Sequence, residues 1–265
     1  MYEFNYQKAS SVADAAAKLG AAEDARLLAG GQTLIAAMKL RLAAPTDIVD
    51  LGGIAGLRGI AAKGSGVTVG AMTTHADVGD SEQVHQHIPA LAALAVSIGD
   101  PMVRNKGTIG GSIANNDPAA DYPAALVGLG ATIKTNQREI PADEFFTGMF
   151  TTALEPGEII ESVFFPKPKR AAYMKFSNPA SRYAIVGVFV ADTGDGVRVA
   201  VTGAGACVFR VAEMEKALAA KFTPDAVASI AVAADDLNSD MHASAEYRAH
   251  LINVMAKRAV EKALG

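Results

Sequence analysis

Apolar and polar residues alternate in short blocks whose period switches repeatedly between two and about 3.6 residues. Tyr2–Tyr6 alternates as a strand does. Val12–Leu19 carries an alanine-rich helical stripe, with Ser10 or Ser11 available as N-cap and Gly20 as the stop. Ala25–Leu28 is a short apolar strand that runs directly into Gly30-Gly31. From Thr33 to about Leu42, positions Leu34, Ala37, Met38 and Leu42 share one helical face, and Pro45 stops that helix because it has no N–H to donate. Asp47–Leu51 reads as the next strand. Residues 1–51 thus spell strand, helix, strand, glycine turn, helix, strand: a small α/β unit.

Beyond it, Gly52–Gly66 is glycine-rich and weakly periodic, as expected of a join. Val67–Ala71 is a strand and Ile88–Ile98 an apolar helix that Asp100-Pro101 ends. A second glycine turn, Thr108–Asn115, precedes a helical segment at Tyr122–Leu129. Strands at Ala131–Thr135 and Glu158–Phe165 complete this region, and the prolines of 166–170 mark a linker. Ala184–Ala191, the turn Thr193-Gly194-Asp195-Gly196 and Val197–Gly203 form a hairpin pattern. From Val211 onward the pattern is helical, ending in Ala245–Leu264.

Composition narrows the function classes. The chain has 265 residues, half of them apolar, and 53 alanines, so it has ample material for buried cores and is not a disordered sequence. At this length two or three subdomains are expected. Acidic residues outnumber basic ones, 28 to 24, which disfavours nucleic acid as a partner. The single cysteine, Cys207, excludes an internal disulfide, a cysteine-ligated iron–sulfur cluster and a cysteine zinc site; it reads as a small hydrophobe in a strand spanning Val199–Val208. The N-terminus lacks a signal peptide's basic and apolar regions, and no apolar run reaches the roughly 20 residues of a membrane span. A soluble, cytoplasmic protein is expected.

The sharpest chemical feature is Ala29-Gly30-Gly31-Gln32-Thr33, between a strand and a helix. Glycines let a ligand approach the backbone, a helix start offers N–H groups, and Thr33 adds a hydroxyl. The alternative is a plain strand-to-helix turn. Thr108–Asn115 repeats the recipe with Thr108, Gly110, Gly111, Ser112 and Asn115. The pair suggests two walls of one diphosphate site. Neither turn is a P-loop or a G-x-G-x-x-G fingerprint, and Gly203-Ala204-Gly205 reads as a strand end. Asp117 and Asp121 follow the second turn; a carboxylate there either accepts ribose hydroxyls or caps the next helix. The histidines, His85-x-His87 included, make no metal-ligand pattern, and no nucleophile or acid–base constellation stands out. The sequence describes a cofactor holder.

The segments 29–51 and 104–126 closely resemble the two flavin-binding stretches of the medium, FAD-binding subunit of molybdenum hydroxylases of the carbon monoxide dehydrogenase type. GAMTTHADV (70–78), EPGEII (155–160), SRYAIVGV (181–188) and the segment 247–264 are similar too, so the resemblance covers nearly the whole chain. It implies an α+β fold of the PCMH type. Two α/β subdomains (1–53 and 54–168) would clasp FAD, and residues 169–265 would add a small antiparallel sheet with a helix bundle. Ala29, Gly30, Gly31, Gln32, Thr33 and the adjoining Leu34 would hold the pyrophosphate from one side, and Thr108, Ile109, Gly110, Gly111, Ser112 and Asn115 from the other. Asp121 would contact the adenosine or ribitol region. Tyr183 would lie against the isoalloxazine, or else be ordinary core; Ile160 would pack on the ring or in the core. Lys175 would place a cation near flavin N1, or be a plain exposed lysine.

The resemblance further implies non-covalent FAD, since no attachment histidine stands in a suitable motif. The molybdenum cofactor and [2Fe-2S] clusters would sit on a large and a small partner subunit, in a dimer of heterotrimers. Electrons would pass from the iron–sulfur subunit through this chain to an external acceptor. Two departures stand out: Gln32-Thr33 replaces a frequent His-Ser, and no long nicotinamide-binding insertion is evident. A freestanding flavin oxidase or dehydrogenase, and a regulatory nucleotide-binding module, are the other function classes.

Overall fold

The computed structural model describes all of residues 1–265. Its first unit is built on β1 (Asn5–Lys8), α1 (Val12–Ala21), β2 (Ala25–Leu28), α2 (Leu34–Lys39) and β3 (Asp47–Asp50). The strands form a three-stranded parallel sheet in the order β1-β3-β2, with Asp47 opposite both Asn5 and Ala25. Central β3 is buried along Asp47–Val49. Ser11 is the N-cap of α1, its hydroxyl accepting from the Asp14 N–H at 3.0 Å. Helix α1 runs through Gly20, whose missing side chain faces open space, so no steric reason stops the helix there. Strand β1 begins later than the Tyr2–Tyr6 alternation suggests; the side chains of Tyr2 and Tyr6 are both exposed.

The glycine-rich join contains β4 (Ile60–Lys63), which the weak periodicity concealed, and leads into β5 (Gly66–Gly70). Four short helices follow: α3 (His75–Asp80), α4 (Glu82–His87), α5 (Pro89–Val96) and α6 (Pro101–Arg104). Asp100-Pro101 does not only end a helix. Asp100 caps α6, accepting from the Val103 N–H at 2.9 Å, and Pro101 occupies its first position, where no N–H is needed. Then come α7 (Ile109–Asn115), α8 (Tyr122–Leu129), β6 (Thr132–Thr135), β7 (Glu139–Pro141), α9 (Ala142–Phe145), the small hairpin β8 (Phe146–Gly148) and β9 (Thr151–Thr152), and β10 (Ile160–Pro166). This unit's sheet is wholly antiparallel, in the order β4-β5-β10-β6-β7, with a bulge in β10 between Ile160 and Ser162.

The last unit opens at β11 (Arg170–Ser177), which sequence periodicity did not reveal. It pairs with β12 (Ala184–Asp192), β13 (Val197–Thr202) and β14 (Phe209–Arg210) in one antiparallel sheet. Helices α10 (Ala212–Ala220), α11 (Pro224–Val227) and α12 (Ala245–Leu264) cover one face. Helix α8 covers the other. Gly128 is required there, since a Cβ would meet Phe189 Cδ1 at 2.7 Å. Helix α8 is buried along its entire length and joins the second sheet to the third in one continuous apolar core. Cys207 lies in the connection between β13 and β14 and not in a strand; burial raises its thiol pKa.

Candidate functional site

Three chain segments converge on a cleft of about 610 Å³: the turn after β2, the start of α7, and the residues joining β11 to β12. The first two meet because Gly30 has no side chain. A Cβ there would sit 2.0 Å from the carbonyl oxygen of Lys106, so only glycine lets the two loops touch. A Cβ on Gly111 would lie 3.4 Å from that of Ala29, which sets the turns face to face. The His75 N–H donates to the Gly107 carbonyl at 3.0 Å, and Thr74 bridges Thr108, fixing the second loop to the sheet edge.

The two turns are not equivalent. At the first, the backbone N–H groups of Gly30, Gly31, Gln32, Thr33 and Leu34 donate to no acceptor within the chain. Gly31 has φ +73°, which turns the backbone into α2. A row of free amides is unusual in a fold, and it is what an anion with several oxygens requires. At the second turn the amides are already used. Ile109 N–H donates to Thr73 O (3.1 Å), Gly110 N–H to Ala71 O (2.8 Å), and Gly111 N–H to the Thr108 hydroxyl (3.2 Å). Gly110 is needed for packing, because a Cβ would meet Ala71 at 2.7 Å. This wall instead presents side chains: the Ser112 hydroxyl and the Asn115 amide have no partner in the chain, as is true of Gln32 and Thr33 opposite.

Of the residues named from sequence, Ala29–Leu34, Thr108, Gly110, Gly111, Ser112, Asn115, Asp121, Ile160 and Tyr183 line this one cleft. Ile109 and Lys175 do not. The Ile109 side chain is fully buried in the core. Lys175 is neither exposed nor open to the cleft, because its ammonium lies 2.9 Å from each of three oxygens: Asp121 Oδ1, Ser97 O and Arg182 O. Asp121 precedes α8 but does not cap it. Its Oδ1 accepts from the Tyr173 hydroxyl (2.6 Å) and Lys175, while Oδ2 makes no bond within the chain. Burial raises the Asp121 carboxyl pKa, and Lys175 and Tyr173 pull it back. Tyr183 stands half-exposed at the mouth and Ile160 is buried at the β10 bulge.

Sequence reasoning missed other lining groups, among them Arg26, Arg182 and His75, while Asp117, weighed beside Asp121 as a ribose acceptor or helix cap, does line the cleft. His75 is 5% exposed; burial, with Arg104 nearby, lowers its pKa to about 4, so it is neutral at pH 7. Its Nδ1 has no partner, and neither does the buried hydroxyl of Tyr122, whose ring centroid lies 5.3 Å away. The histidines' spacing makes no metal-ligand pattern, whereas His75 stands out through its burial, which sequence does not display.

The cleft therefore offers free amides on one wall, hydroxyl and amide side chains on the other, carboxylate oxygens of Asp117 and Asp121 that make no bond within the chain, and apolar side chains at Ile98, Val103, Leu154 and Ile160. That donor set fits an elongated ligand with a diphosphate, a polyol and a flat apolar ring. Comparisons agree. The family described as "FAD binding domain in molybdopterin dehydrogenase" matches residues 2–168, and "CO dehydrogenase flavoprotein C-terminal domain" matches residues 171–263. The chain is 36% identical to the nicotine 6-hydroxylase medium subunit of Paenarthrobacter nicotinovorans, covering 97% of this chain and 96% of that one. It is 37% identical to the carbon monoxide dehydrogenase medium chain of Afipia carboxidovorans, covering 98% and 96%. Among solved structures, a carbon monoxide dehydrogenase from Hydrogenophaga pseudoflava superposes with a TM-score of 0.90 at 36% identity, over 99% of this chain and 98% of that one.

Proposed function

Because the chain belongs to the FAD-binding medium subunits of molybdenum hydroxylases of the carbon monoxide dehydrogenase type, we propose that its cleft holds FAD non-covalently as an electron relay between partner subunits and an external acceptor. The observation that carries this is the run of unpaired backbone amides from Gly30 to Leu34, facing Ser112 and Asn115 across a gap closed by Gly30. Those amides hold the pyrophosphate, the Thr33 and Ser112 hydroxyls add donors from both walls, and Asp121 Oδ2 accepts from a ribose or ribityl hydroxyl. Ile160 and Tyr183 border the flavin ring, with Tyr183 at the solvent edge. In its bound state FAD supplies exchange between one-electron and two-electron partners.

The chain's own residues bind, orient and shield; the substrate is transformed elsewhere. Relatives of the same extent are named for nicotine and for carbon monoxide, so the work they share with this chain is holding flavin. Their names as medium subunit or medium chain favour the subunit reading over a freestanding flavin oxidase. A large subunit with the molybdenum cofactor and a small one with [2Fe-2S] clusters, assembled as a dimer of heterotrimers in the cytoplasm, complete the proposal. Residues 1–53 and 54–168 form the two jaws and 169–265 the backing. No helix is long and apolar enough to cross a membrane.

The test is flavin release. Acid precipitation of the purified chain should leave FAD in the supernatant. Flavin retained in the pellet, or FMN in its place, overturns the assignment.

A further inference from the structure

Lys175 sits on β11 with its side chain only 7% exposed, and all three of its N–H donors are used. The three acceptors belong to separate pieces of chain. Ser97 follows α5 and is succeeded by Ile98 and Gly99, which line the cleft. Asp121 is a carboxylate of the cleft lining, with Oδ1 accepting from Tyr173 and Lys175 and Oδ2 left free. Arg182, at φ +62°, belongs to the loop 178–183 that carries Tyr183. That loop is otherwise closed mostly on itself: Asn178 Oδ1 accepts from Ala180 and Ser181, Asn178 N–H donates to Tyr183 O, and Arg182 N–H donates to Asn178 O. Its side-chain tie to the body of the protein is the Lys175 ammonium. Tyr173, two residues earlier on the same face of β11, donates to the same Asp121 oxygen.

From this geometry we infer that Lys175 is a positioning residue: its ammonium staples three walls of the cleft and sets the place of Tyr183 and Asp121, without touching the flavin. This rests on the cleft being the FAD site. It replaces the expectation that the lysine acts directly on flavin N1, because an ammonium with three 2.9 Å acceptors has no donor left for a ligand.

The test uses the full chain with Asp121→Asn/Lys175→Met, which removes the staple and leaves no buried unpaired charge, and with Lys175→Arg, which keeps the cation but cannot match three carbonyl-type acceptors from one nitrogen. Two readouts are followed: tryptic cleavage after the exposed Arg182 in the absence of flavin, and FAD affinity by titration. The expected result for the double variant is roughly tenfold faster cleavage together with roughly tenfold weaker FAD binding, about 1.4 kcal/mol in affinity. Lys175→Arg should fall between it and the parent in both. Because it keeps the Asp121 carboxylate, its weaker binding separates loss of the staple from loss of the Asp121 contact with FAD. Should the double variant not fold, the Arg variant decides alone on the same two readouts. Weaker FAD binding with unchanged cleavage overturns the staple in favour of direct contact; faster cleavage with unchanged affinity, or no change in either, overturns the positioning role. A parent chain that takes up no FAD contradicts the flavin site itself, and the cleavage arm then still reports whether Lys175 ties the loop.

Discussion

At the scale of single residues, the glycines and the polar groups of the cleft separate into two kinds. Gly30 and Gly110 have backbone or Cβ atoms of other segments against them, at 2.0 and 2.7 Å from a would-be Cβ, so they keep the walls together and do not chiefly make room for phosphate. Gly30→Ala should therefore lose FAD and thermal stability together, read by flavin content and melting temperature in the same preparation. Thr33→Ala and Ser112→Ala remove groups that bond nothing within the chain. Each should weaken FAD by about 0.5–1.5 kcal/mol at unchanged melting temperature, measured by titration and by thermal unfolding without flavin. Asp121→Ala is not a mild change either. It strands the buried Lys175 ammonium and should destabilise the fold by about 3–5 kcal/mol, checked by denaturant unfolding. His75 adds a pH dependence. Its folded pKa, about 4, lies below the ordinary 6.5 because burial disfavours the cation. Between those values the unfolded chain binds the extra proton, so stability is full above pH 6.5 and falls as pH drops toward 4, by at most about 1.4 kcal/mol per unit. Urea unfolding at pH 7 and pH 5 should show this loss, and His75→Gln should flatten it.

At the scale of elements, what could be read from the sequence was whatever carries its own local signal. The helix α8 was legible as Tyr122–Leu129 because a continuous apolar run announces it, and β2 as Ala25–Leu28 because Leu27-Leu28 run straight into a glycine turn. The first glycine turn was legible as a strand-to-helix turn, with an anion site as one of its two readings, because Gly30-Gly31 stands between a strand and a helix. Strand β11 was not legible: Arg170, Lys175 and two alanines break its alternation, since its Lys175 position is polar yet buried by an ion pair formed with a residue 54 positions away. The difference between the two turns was equally hidden. Both have glycines and hydroxyls, but tertiary contact with Thr73 and Ala71 uses up the amides of Ile109 and Gly110, and the Thr108 cap that of Gly111. Gly128 on α8 gives this scale its test. A branched side chain there meets Phe189 of β12, so Gly128→Val should cost about 1–3 kcal/mol by overpacking, measured by denaturant unfolding, while FAD affinity of the folded fraction stays unchanged.

At the scale of the whole molecule, an electron relay should be silent alone. The isolated chain should bind FAD and lose its yellow absorbance with a chemical reductant such as dithionite, yet not with organic substrates; adding the molybdenum and iron–sulfur subunits should let substrate bleach it. Rapid anaerobic bleaching by substrate without partners would favour a freestanding oxidase. The core that α8 shares between two sheets has its own consequence. The apolar cluster built on the second sheet also contains Tyr173, Phe189, Ala191 and Ala200 from the third, and Val208 just before its last strand, while the two family matches divide at residues 168 and 171. The division that descent drew across the chain is therefore not one along which the molecule comes apart. Heating should give one calorimetric transition whose van't Hoff and calorimetric enthalpies agree, and residues 1–168 expressed alone should behave as a sticky, loosely packed remnant, since the face of α8 that β12 covers would lie open to water.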